Sequence, residues 1–97
     1  MQLYEILIPV VDNERRIISS HVHKGWDNWV SQRIGGITIL KNQYKGSWAG
    51  QYENMIPVRI ACTDIQLEEI LKFTIEYYEQ DAVMCYLISS NVIIKKK

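Results

Sequence analysis

Apolar and polar positions alternate along several short runs of the chain, and this spacing predicts β-strands. In the first run, residues 3–11, the even-numbered positions share one face of a strand, and the other face carries Glu5 and Leu7. The same spacing of two predicts strands over residues 37–40 and 55–62. A fourth strand is predicted over residues 82–88.

Two other stretches have the three-to-four spacing of amphipathic helices. In the first, Trp26, Trp29 and two aliphatic residues form one stripe, which a glycine pair ends at residues 35–36. The second stretch begins with a capping box at residues 63–66 and runs to about residue 80. Both tryptophans are expected to cover the sheet rather than to form a binding platform.

The order of these elements is strand, helix, strand, strand, helix, strand. It predicts one α+β domain over residues 1–97, with the ferredoxin-like split βαβ (βαββαβ) arrangement. That arrangement has a four-stranded antiparallel sheet with two helices on one face, and strand one lies between strands three and four. Cys62 and Cys85 are then separated by strand one, too far apart for a disulfide, and buried thiols are expected.

The composition is that of a globular domain without a membrane segment. Hydrophobic residues make up 47% and charged residues 23% of the 97 residues. No run approaches the ~20 apolar residues that a membrane helix needs. The first residues have neither a basic region nor a cleavable apolar segment, so a cytoplasmic protein without membrane contact is expected.

Charge is balanced over the whole chain but uneven along it. Residues 15–45 carry six basic residues against one acidic residue, a net charge of +5, and residues 64–81 carry the reverse, −5. The basic residues are scattered rather than clustered on one face, which argues against nucleic-acid binding. Either the basic and the acidic stretch form two solvated faces, or the basic stretch of one subunit attracts the acidic stretch of the next in a head-to-tail contact.

Three short motifs resemble those of known proteins. Residues 35–38 read Gly-Gly-Ile-Thr, residues 46–48 read Gly-Ser-Trp, and residues 80–83 read Gln-Asp-Ala-Val. With these G-G-x-T and G-x-W motifs the chain resembles small uncharacterised bacterial and phage-type proteins, a domain of unknown function. The resemblance implies a ferredoxin-like domain with no established activity. In outline the chain is also similar to the trimeric CutA and PII-type proteins, in which a tryptophan-bearing hairpin serves assembly.

Trp48 is the first candidate binding residue. It stands in a polar segment between small residues, with Tyr44 and Tyr52 four positions away on either side. A large aromatic side chain in such a segment must be buried in its own core, in a second subunit or against a ligand.

The sheet face away from the helices is the second candidate. It should carry Glu5, Leu7, Thr38, Leu40, Arg59 and Tyr86. A face that mixes apolar residues with one glutamate and one arginine either packs against a second subunit or lines a ligand cleft. Alternatively, Glu5 and Arg59 simply pair across neighbouring strands.

His21 and His23 are the only candidates for a metal site. In an extended segment both imidazoles lie on one face, whereas on a helix they diverge by about 200°. A site also needs a further ligand, which Asp12, Glu14 or Asp27 could supply. The alternative is two exposed histidines, and no cofactor is otherwise expected.

Catalytic motifs are missing from the sequence. There is no G-x-S-x-G elbow, no phosphate-binding glycine loop and no histidine expected beside Cys62 or Cys85. We therefore predict a non-enzymatic domain that self-associates as a dimer or trimer and binds a protein partner or small ligand. The expected surface is the open sheet face or the Trp48 segment. The alternatives are a small dimeric ferredoxin-like enzyme with its cleft on that face, or metal binding through His21 and His23.

Overall fold

The secondary structure comes from a computed structural model that describes residues 1–34, 40–41, 55–93, 95 and 97. Its elements are β1 (Gln2–Pro9), α1 (Ser20–Arg33), β2 (Leu40–Lys41), β3 (Met55–Cys62), α2 (Asp64–Tyr77) and β4 (Cys85–Ser89). No helix in these ranges is long and apolar enough to cross a membrane.

The sheet is antiparallel, with β1 at its centre. β3 pairs with the whole of β1, from Cys62 opposite Gln2 to Met55 opposite Pro9. β4 lies on the other side of β1, with a register shift between Leu3 and Tyr4. Pro9 closes the strand, where its missing N–H leaves no ladder bond unmade.

The predicted four-stranded ferredoxin-like sheet is wrong. Among the described residues, three strands of ordinary length, β3, β1 and β4, form the sheet, and β2 adds Leu40 opposite Arg59 and Lys41 opposite Val58. Strands normally have about three to ten residues, and a two-residue segment makes too few ladder bonds to act as a fourth strand. The fold is an α+β fold with a three-stranded antiparallel sheet and two helices. Residues 37–39 of the predicted second strand lie outside the described residues.

The hydrophobic core lies between the helices and the even-numbered face of β1, as predicted. Trp26 and Val30 of α1 and Ile70 of α2 are completely buried there. They pack with Tyr4, Ile6, Ile8, Ile34, Val58, Ile60, Cys62 and Tyr78. The prediction that Trp26 is a core residue is confirmed, because only 1% of it is exposed.

Side-chain caps fix where the two helices begin. Ser19 caps α1 by accepting a hydrogen bond from the Val22 amide. The capping box predicted for α2 is confirmed: Thr63 Oγ1 accepts from Gln66 N at 3.2 Å, and Gln66 Oε1 accepts from Thr63 N at 3.0 Å. Gln66 also donates to the carbonyl oxygen of Arg33, so the start of α2 is tied to the end of α1.

Gly25 of α1 lies against Tyr77 of α2. The Tyr77 hydroxyl donates to the Val22 carbonyl oxygen at 2.6 Å, across the helix pair. A Cβ atom at position 25 would overlap that hydroxyl oxygen, so the crossing requires glycine. Next to this contact, the rings of Trp29 and Phe73 stack with their centroids 3.9 Å apart.

Candidate functional site

Strand register places four of the predicted site residues in one row across the sheet. Leu40 is opposite Arg59, Arg59 is opposite Glu5, and Glu5 is opposite Tyr86. Directly opposite residues of an antiparallel ladder point to the same face. Trp48 and the side chain of Leu40 lie outside the described part of the chain.

Two side chains of this row donate hydrogen bonds to the Glu5 carboxylate. Glu5 Oε1 accepts from Arg59 Nε at 3.2 Å, and Glu5 Oε2 accepts from the Tyr86 hydroxyl. The carboxylate is therefore paired with one charged donor and one neutral donor, as a buried charge requires. These contacts fix both neighbouring strands to β1.

The sheet face is less open than predicted. Glu5 and Leu7 are each only 8% exposed, and Ala61, opposite Leu3, is also buried. The side chain of Arg59 is 43% exposed, and Tyr86 is 42% exposed. A buried carboxylate whose two oxygens already accept hydrogen bonds is held as a structural tie, so the geometry gives Glu5 this role before that of a general base.

The feature that sequence reasoning missed is the exposure of β4. Met84, Tyr86, Leu87 and Ile88 are between 37% and 50% exposed, and we call these four residues the β4 edge patch. β4 stands at the end of the strand order, and its outer edge pairs with no other strand among the described residues. The run from Ala82 to Ile94 contains no charged residue, and such a run predicts a buried strand rather than an exposed one.

Backbone groups of β4 also point away from the sheet. Leu7 N donates to Met84 O at 3.0 Å, so the backbone groups of Met84 face β1. Because these directions alternate along an antiparallel strand, those of Tyr86 also face β1, and the N–H groups of Cys85 and Leu87 point to the outer edge.

The structure does not bring His21 and His23 together. Both lie in the first turn of α1, so their side chains diverge as the helical geometry requires. His21 is exposed, whereas His23 is half-buried and its Nδ1 atom lies 2.7 Å from the Tyr78 hydroxyl oxygen. Within the described ranges, no group of three histidine, cysteine or acidic residues could hold a metal ion.

The two cysteines and two core tyrosines have raised pKa values. Burial raises the pKa of Cys62 and of Cys85 to about 11, so both thiols are protonated at neutral pH and are weak nucleophiles. The Tyr4 hydroxyl donates to Asp64 Oδ1 at 2.6 Å, and this bond raises the pKa of Tyr4 to about 12. Burial likewise raises the pKa of Tyr78.

Comparisons with protein families, with curated proteins and with solved structures find no match for this chain. The resemblance to the G-G-x-T and G-x-W proteins stays a prediction, since residues 35–38 and 46–48 lie outside the described residues.

Proposed function

We propose that the protein is a non-enzymatic, self-associating domain that forms a homo-oligomer through the β4 edge patch. The observation that carries this proposal is an edge strand that pairs with no further strand among the described residues and has exposed apolar side chains. A strand edge presents N–H and C=O groups that can pair with another chain.

The composition of β4 supports this proposal. Natural proteins protect a sheet edge with lysine, proline or inward-pointing charges. The run from Ala82 to Ile94 contains none of these devices. An apolar patch of this kind, bordered by polar residues at both ends of the run, is typical of a protein–protein interface.

The proposed interface shares Tyr86 with the predicted sheet face but is centred on the edge of the sheet. Glu5 and Leu7 of the sheet face are already buried, so little of that apolar surface is left to cover. Trp48 stays a second predicted contact. Binding of a further protein partner or small ligand by the oligomer is part of the proposal, as is a cytoplasmic location, where Cys62 and Cys85 remain thiols.

A charge placed in the patch tests the proposal. Leu87→Lys introduces a cation at a half-exposed position, so the folded chain should tolerate it while the association should fail. The matched control is Ile65→Lys, at a residue of α2 that is 79% exposed and lies outside the patch. Size exclusion with light scattering should give an oligomer mass for the wild type and the control, and the 11.4 kDa of one chain for Leu87→Lys.

Two results count against the patch. An unchanged oligomer mass in Leu87→Lys would place the interface elsewhere. Equal loss of mass in Leu87→Lys and Ile65→Lys would show that charge in general, rather than the patch, controls association. Circular dichroism of both variants confirms that the chains are folded.

A further inference from the structure

We infer that β4 pairs antiparallel with β4 of a second copy, so that one sheet continues across the dimer. This inference rests on the proposed self-association and adds its partner and geometry. The occupant of the edge is a second copy of this chain, and the contact includes backbone hydrogen bonds as well as apolar side chains.

The first support is the direction of the backbone groups. The N–H groups of Cys85 and Leu87 point outward, two positions apart, as a further antiparallel strand requires. A two-fold axis near Tyr86 sets Cys85 of one copy opposite Leu87 of the other, so that each outward N–H has a C=O acceptor. The same axis places the exposed side chains of the two patches beside each other.

The second support is the order of charges along the chain. Glu79 and Asp81 precede β4, whereas Lys95 and Lys97 follow it, with no charge in between. Antiparallel pairing brings the acidic residues that precede β4 in one copy to the same end of the paired strands as the lysines that follow β4 in the other. Parallel pairing would place like charges together, which is unfavourable. The uncharged centre leaves no repulsion between the copies where the strands meet.

Amide hydrogen exchange measured by NMR tests the backbone pairing. The exchange of the Cys85 and Leu87 amides should slow at least about tenfold between a dilute, monomeric sample and a concentrated, dimeric one, because both N–H groups gain acceptors. The amide of Tyr86 is the internal control. It points to β1 in both states, so its exchange should change much less.

Failure of this inference is distinguishable from failure of the proposed function. If the concentrated sample has twice the chain mass while Cys85 and Leu87 exchange as fast as in the monomer, edge pairing is overturned and self-association stands. If the mass stays that of one chain, both are overturned. If both amides are slowed in the dimer only, edge pairing is supported.

Charge reversal tests the strand direction. Lys95→Glu with Lys97→Glu should weaken dimerisation roughly three- to tenfold at low salt, since both acidic ends then face acidic tails. Adding Glu79→Lys and Asp81→Lys to the same chain should restore the affinity. If the variant with all four substitutions dimerises no more tightly than the variant with the two lysine substitutions, the antiparallel direction is wrong.

Discussion

Trp26 and Thr74 join the two helices through one completely buried hydrogen bond. Trp26 Nε1 donates to Thr74 Oγ1 at 2.9 Å, and Thr74 Oγ1 donates to the Ile70 carbonyl oxygen at 2.6 Å. The Thr74 hydroxyl thus accepts the hydrogen bond of the buried Trp26 indole and donates its own proton to a backbone carbonyl within α2. The helical stripe predicts a buried Trp26, but the partner is 48 residues away, and no local pattern identifies it.

Replacing Thr74 should show how much an unpaired buried hydrogen-bond donor lowers the free energy of unfolding. Thr74→Val keeps the side-chain shape but leaves Trp26 Nε1 without its acceptor, so the free energy of unfolding should fall by about 1–3 kcal/mol. Thr74→Ser is the control, because it keeps the hydroxyl and loses one methyl group. Urea unfolding should show Thr74→Val as the less stable variant, and the reverse order would contradict the assigned bond.

The raised thiol pKa values predict a loss of stability at alkaline pH. Folding raises the pKa of Cys62 from 9.0 to about 11, so the folded state favours the neutral thiol. This contribution is complete below pH 9 and is lost as pH rises towards about 11, when the unfolded chain gains by ionising. Cys85 has the same shift, and Tyr4 acts in the same direction at higher pH.

Thermal melting from pH 8 to pH 11 checks this sign. The melting temperature of the wild type should fall over this interval. In the Cys62→Ala variant the fall should be smaller, regardless of the melting temperature of that variant at pH 8. An identical slope in the two proteins would mean that burial of Cys62 does not control its ionisation.

At the scale of elements, the contact of α1 with α2 depends on Gly25. Glycine in the middle of a helix costs about 1 kcal/mol relative to alanine, so Gly25→Ala would stabilise an isolated helix. In the folded chain the new Cβ collides with the Tyr77 hydroxyl, and we expect a net destabilisation of about 1–3 kcal/mol. Denaturant unfolding measures this difference.

The second substitution Tyr77→Phe should rescue part of that loss. It removes the colliding oxygen while keeping the ring, which otherwise lies at ordinary contact distance from the new Cβ atom. Tyr77→Phe in the wild-type background is the control, since it reports the loss of the bond to Val22 separately. Additive effects of the two substitutions would contradict the steric explanation.

Elements with local signals could be predicted from the sequence. The capping box and the tryptophan stripe place both helices, because these patterns are formed by residues within one or two turns. The row of Arg59, Glu5 and Tyr86 could be anticipated from the alternation of each strand and the central position of β1. The burial of Glu5 could not be anticipated, because the alternation of apolar and polar residues assigns Glu5 to a face of the sheet but does not show what covers that face.

The pairing of the second strand and the exposure of β4 could not be predicted for a different reason. A short apolar run is consistent with a strand, but pairing depends on residues far away in the chain, and the described part of β2 pairs through two residues. β4 is apolar at both sets of alternate positions, a pattern typical of a strand buried on both faces. The predicted strand order places β4 beside β1 at an edge, but the apolar pattern does not predict that its side chains are exposed.

At the scale of the whole molecule, charge and exposure favour contact between copies. The chain has eleven basic and eleven acidic residues, so two copies carry no net repulsion at neutral pH. The acidic and basic ends on either side of β4 select one direction of pairing. A head-to-tail contact between the +5 and −5 stretches would instead allow chains to add without closing, whereas the two-fold arrangement stops at a dimer.

Sedimentation equilibrium of the wild-type chain over a wide concentration range tests the central claim most directly. If two copies pair through their β4 edges about a two-fold axis, the average mass should rise with concentration from 11.4 kDa to twice that value and then stay constant. A mass of one chain at every concentration would contradict self-association. A mass that keeps rising without a plateau would contradict the closed dimer and favour the head-to-tail contact.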